Sequence, residues 1–107
     1  MSQYVFIESR DPFESRDTDF VEQTALAIKE RGHTVIVFLV QNGVLAAREN
    51  TGQLRHLAQA GVILLADDFS LRERGIRTEE LAQGIQETGI DRLVDAMTQA
   101  RTKAIWH

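Results

Sequence analysis

Short apolar runs alternate along the chain with longer amphipathic stretches, and this pattern predicts its elements. Tyr4-Val5-Phe6-Ile7 is β-branched and aromatic and reads as a first strand. Thr34 to Val40 (TVIVFLV) and Val62 to Ala66 (VILLA) are apolar throughout, which marks strands buried on both faces. Ala104-Ile105-Trp106 reads as a short last strand.

Helical spacing fills the intervals. Phe20, Val21, Thr24, Ala25 and Ile28 recur at that period, with Asp17 or Thr18 to cap the helix and Gly32 to stop it. Val44 to Glu49 predicts a short helical piece, and Gly52 to Ala60 a second helix with Leu54, Leu57 and Ala58 inward. A helical turn should run from near Phe69 to Arg74, and another short segment from Thr78 to Gln83. The last helix is expected over Asp91 to Arg101, with Ile90, Leu93, Val94, Met97 and Ala100 as its apolar stripe. Strands alternating with helices predict an α/β fold with a mainly parallel sheet and helices on both faces. No linker composition interrupts residues 1–107, so a single domain is expected.

Glu8 to Asp17 is a polar stretch in which Glu-Ser-Arg-Asp occurs twice around Pro12. Copies of four residues are too short for a structural repeat, and a solvated loop is the expectation.

Composition narrows the function. Twelve basic against sixteen acidic side chains give a net charge of −4, and the basic residues are dispersed. Neither nucleic acid nor an anionic membrane is an expected partner. The sequence contains no cysteine, which excludes disulfides, thiolate metal sites and a sulfur-carrying nucleophile in this chain. No basic leader precedes the first strand, and the longest apolar run, Val35 to Val40, is far short of a membrane span, so a cytoplasmic protein is expected.

Ligands of open parallel sheets bind outside the carboxyl ends of the strands. That rule selects Glu8-Ser9-Arg10-Asp11, Gln41-Asn42-Gly43 and Asp67-Asp68-Phe69-Ser70. Glu8, Asn42, Gly43, Asp67, Asp68 and Ser70 are therefore the candidate ligand-binding residues, and none of them is assigned a catalytic role. Adjacent Asp67 and Asp68, with Glu8, offer oxygen donors of the kind magnesium takes. The alternative is that the two aspartates cap the helix near Phe69, with Asp68 the favoured cap. Ser70 is no nucleophile without a base. His33, His56 and His107 are too scattered for metal-ligand spacing and read as surface or helix-end residues. The glycines never form a phosphate loop, and no cofactor or metal is expected. Trp106 suits the core or a subunit interface.

Three stretches, Ala25 to Asn50, Val62 to Ile76 and Ile90 to Trp106, resemble the DsrE/DsrF-like family of small sulfur-relay proteins, which includes the Tus chains. The resemblance implies a flavodoxin-like three-layer sandwich, and assembly as a homo-oligomer (trimer or hexamer) or with paralogous DsrE-like subunits. Active members pass persulfide sulfur on a cysteine in the loop after the third strand. Counting back from Arg74-Gly75, that position falls on Asp67, and a second cysteine of some members on Ser70. A carboxylate cannot form a persulfide. The expectation is a non-catalytic member, a structural or regulatory subunit associated with sulfur trafficking or oxidation. The alternative is a small-molecule or metal-binding enzyme using the acidic loop.

Overall fold

The computed structural model describes residues 2–11 and 18–107. Five parallel strands form one sheet in the order β4-β3-β2-β1-β5: β1 (Gln3–Glu8), β2 (Thr34–Leu39), β3 (Ile63–Asp67), β4 (Ile85–Thr88) and β5 (Thr102–Trp106). The helices are α1 (Thr18–Glu30), α2 (Arg55–Gln59), α3 (Asp68–Glu73) and α4 (Ile90–Met97). Short 3-10 segments cover Gln41–Ala47, Glu49–Thr51 and Thr78–Glu80.

Topology decides which face each helix covers. From β1 to β4 the chain steps across the sheet in one direction, so right-handed crossovers put their helices on one face. The connection from β4 to β5 runs back past the whole sheet, which places α4 on the other. Alternation along the strands separates the two cores accordingly. Phe6, Val35, Val37, Leu39, Leu64 and Ala66 pack against Val21 and Ala25 of α1, Leu57 of α2 and Leu71 of α3. Val5, Ile7, Ile36, Phe38 and Leu65 pack against Leu93 and Ala96 of α4. This is the three-layer, flavodoxin-like α/β architecture expected from the sequence.

Several expectations need correction. β4 (IQET) was not foreseen. The first copy of Glu-Ser-Arg-Asp is solvated only in part, with Arg10 exposed but Glu8 and Asp11 buried; the second copy and Pro12 lie outside the described residues. The second helix begins at Arg55 rather than Gly52, and the helical piece after β2 begins at Gln41 rather than Val44. α4 stops at Met97, four residues before Arg101. Of its apolar stripe only Leu93 is buried; Ile90, Val94 and Met97 are 55%, 52% and 44% exposed. Phe20 is exposed on α1, and Trp106 is exposed rather than part of the core.

Candidate functional site

The carboxyl ends of β1, β2 and β3 are tied together by the segment that leaves β2. Val40 N–H donates to the Glu8 carbonyl at 3.0 Å, holding that segment against the end of β1. Gln41 takes a left-handed backbone (φ 51°), which a non-glycine residue adopts at a cost. Its N–H donates to Ser70 Oγ at 2.9 Å. Gly43 lies so close to β1 that a Cβ would overlap the Glu8 carbonyl oxygen, so only glycine fits.

At the end of β3, Asp67 is the helix cap. Its Oδ2 accepts Ser70 N–H at 2.9 Å and Ser70 Oγ–H at 2.7 Å, and both residues are buried. This corrects the expectation that Asp68 caps α3. Asp68 instead approaches Arg72 at 3.9 Å, one helical turn on, with its carboxylate beside Gly89 at the end of β4. Arg74 completes the arrangement. Its Nε and Nη2 donate to Asn42 Oδ1 at 3.1 and 3.0 Å, and its Nη1 donates to the Ser70 carbonyl at 3.2 Å.

A second group gathers around Glu8. His107 Nδ1 lies 2.9 and 2.7 Å from the two carboxylate oxygens. When Glu8 is ionised it only accepts, and Nδ1 then carries the proton and donates. Backbone contacts fix the histidine in place: its N–H donates to Ile7 at 2.9 Å, and its carbonyl accepts Ser9 N–H and Oγ–H, each at 2.9 Å. Burial pushes the Glu8 carboxyl above its ordinary value, against the opposing effects of His107 and of the Arg10 guanidinium and backbone N–H. The pair stands between β1 and β5, where the strand order changes direction, the place where open α/β sheets form ligand crevices.

The candidates thus fall into two linked groups: Asn42, Asp67 and Ser70 around Arg74, and Glu8 with Gly43 beside His107. Asp68 belongs to neither. Among the described residues no three His, Cys, Asp or Glu side chains stand close enough to hold a metal ion. His107 and Arg74 are the residues that sequence reasoning missed. Spacing alone could have suggested Arg74, one helical turn beyond Ser70. For His107 the signal was the pairing of β5 with β1, whose register matches Ile7 with Trp106. The next pair is Glu8 with His107.

On the α1 face, beside Glu8, lies a narrow cleft of about 30 Å³, space for a few water molecules. Val37, Leu39, Leu54 and Leu57 are among its apolar lining, and Glu8, Arg10, Asp19 and Glu22 supply its charges.

Residues 2–103 match the DsrE/DsrF-like family, and the chain belongs to it. It is a member without a cysteine. No curated protein matches the sequence significantly. Among solved structures, ychN from E. coli is similar over 100% of both chains, with a TM-score of 0.87 and 19% identity. The protein of unknown function MTH1491 from Methanobacterium thermoautotrophicum also matches over 100% of both chains, with a TM-score of 0.85 and 19% identity. BT1422 from Bacteroides thetaiotaomicron, a conserved protein of unknown function, gives 0.77 and 18% over 99% of this chain and 95% of that one. At these identities the likeness establishes the fold. Among the described residues no helix is long and apolar enough to cross a membrane.

Proposed function

We propose that this protein is a non-catalytic subunit associated with sulfur trafficking or oxidation, assembled with copies of itself or with paralogous DsrE-like chains. Family membership supports the pathway class. The observation that carries the non-catalytic reading is the state of Asp67. The resemblance puts the sulfur-carrying position there, and the side chain is instead a buried cap satisfied by Ser70 N–H and Oγ–H. With no thiol anywhere in the sequence, the loop has nothing on which sulfane sulfur can rest. The apolar face of α4 and the exposed Trp106 support assembly, because exposed apolar surface of this kind is what subunit interfaces cover.

Incubation with a low-molecular-weight persulfide donor, followed by intact mass measurement, tests the first half. The mass is expected to stay unchanged, and a stable increment of one sulfur atom would overturn the reading. Light scattering tests the second half: a particle of single-chain mass, with no association with a cysteine-bearing DsrE-like chain, would reject the subunit role.

A further inference from the structure

Parallel sheets are ordinarily covered by helices on both faces, and beside β4 the cover on the α1 face is short. The crossover from β3 to β4 holds only the six residues of α3 and the 3-10 turn Thr78–Glu80, and α2 is five residues long. Between α2 and the start of β4 lies a cleft of about 460 Å³. That volume falls within the roughly 300–1,000 Å³ typical of small-molecule sites. Its floor is the margin of the core: Leu54, Ala58 and Ile85 are half-buried against the main apolar cluster, and each keeps surface that a ligand could cover.

Two opposite charges line this cleft, Arg55 of α2 and Glu49 of the 3-10 turn before it. Among the described residues, neither side chain forms an ion pair or hydrogen bond, with the other or with any third group. The Arg55 guanidinium is seated over Gly52, where an added Cβ would lie 3.5 Å from Nη2. We infer that the cleft is a site for a small zwitterion with an aliphatic body, the chemistry of an aliphatic amino acid. Arg55 takes the carboxylate, for which its planar fork of donors is suited. Glu49 takes the ammonium, and Leu54, Ala58 and Ile85 take the hydrocarbon part.

The same pair of charges selects against simpler ligands. A carboxylate alone brings a like charge to Glu49, and an amine alone brings one to Arg55, so only a ligand with both is matched throughout. Gly84 helps to keep the space open: a Cβ there would lie 3.3 Å from the Ala58 methyl, in the gap between α2 and β4. The apolar stripe of α4 is on the opposite face of the sheet, so assembly through it leaves this cleft accessible. The inference does not rest on the sulfur reading, and persulfide transfer by the protein would leave it untouched.

The test is a heteronuclear NMR titration of the whole chain with leucine, 3-methylbutylamine and 4-methylpentanoate, which share an isobutyl body and differ in charge. Leucine is expected to bind with saturable shifts at Gly52, Ala58, Gly84 and Ile85. The amine and the acid should each bind about threefold to tenfold more weakly, the span from an exposed ion pair to a charge-assisted hydrogen bond. Arg55→Gln should weaken leucine and the acid by a similar factor and spare the amine. Glu49→Gln should weaken leucine and the amine and spare the acid. Both positions are exposed, so both variants should keep the spectrum of a folded chain. No saturable shift with leucine up to about 50 mM, far above a millimolar dissociation constant, would overturn the proposal. So would shifts confined to other residues, equal binding of the three probes, or a loss of leucine affinity in only one of the two variants.

Discussion

Glu8 and His107 lie 99 positions apart in sequence, and the imidazole Nδ1 contacts both oxygens of the carboxylate, at 2.7 and 2.9 Å. The contact joins the ends of β1 and β5, neighbours only because the last crossover carries the chain back across the sheet. It also places an ionisable carboxyl where burial opposes its charge. Because burial raises the folded-state value above the ordinary 4.5, the folded protein binds more protons than the unfolded chain just above that pH. Glu8 therefore contributes stability below about pH 4.5, and this is lost as pH rises through the raised value. Denaturant unfolding of the protein and of Glu8→Gln from about pH 4 to neutrality, a window that starts just below the ordinary 4.5, checks this. The stability of the parent relative to the variant should fall with rising pH. A relative stability that climbs over that window would contradict the assignment.

Gly43 sits where a Cβ would meet backbone, not a yielding side chain. Gly43→Ala must push the 41–47 segment off the end of β1 and strain the Val40–Glu8 hydrogen bond. A loss of about 1–3 kcal/mol is expected, the usual range for forcing extra carbon into a packed contact. Chemical denaturation measures it, and a neutral substitution would show that the close approach is not held in solution.

The capping role of Asp67 makes a separate prediction. Asp67→Ala leaves Ser70 N–H and Oγ–H without their acceptor in a buried place. The cost should be about 1–2 kcal/mol, towards the upper end for an N-cap. Asp67→Asn keeps an oxygen acceptor and should recover most of that loss. Asp68→Ala should change stability by less than about 0.5 kcal/mol, since its contact with Arg72 is long and exposed. Equal losses at 67 and 68 would mean the cap has been placed on the wrong aspartate.

How much of this could be read from the sequence depends on where each residue's partners lie. β1, β2 and β3 announced themselves because each is buried by neighbours on both sides and both faces. β4 did not, because it is an edge strand with one neighbour, and Gln86 and Glu87 are exposed where an inner strand would carry apolar side chains. The stripe on α4 was legible as a period but not as a destination. Periodicity cannot say whether Ile90, Val94 and Met97 meet the molecule's own sheet, and they do not. The strand-end rule found Glu8, Asn42, Asp67 and Ser70, which all lie at the carboxyl edge. It could not distinguish Asp67 from Asp68 as cap, since that turns on one residue of phase at the start of α3. Nor could it find His107, whose partner is fixed by the register of a long-range parallel pair.

The α4 stripe carries the prediction that tests assembly. Ile90, Val94 and Met97 fall at i, i+4 and i+7, so they form one exposed apolar face, while Leu93 and Ala96 turn to the sheet. Such a face costs solvation unless another chain covers it. Light scattering at about 10 μM, a concentration at which a micromolar interface is largely populated, should give a multiple of the 12.1 kDa chain mass. Val94→Glu places a charge in the middle of the stripe and should reduce the particle to a single chain. The fold should survive, because exposed positions away from caps and cores usually change stability by less than about 0.5 kcal/mol. If Trp106, 65% exposed in the single chain, also lies within the interface, its emission should shift to the red in the same variant. A single-chain particle for the parent protein would remove the interface altogether. A Val94→Glu variant with unchanged size would move it off α4.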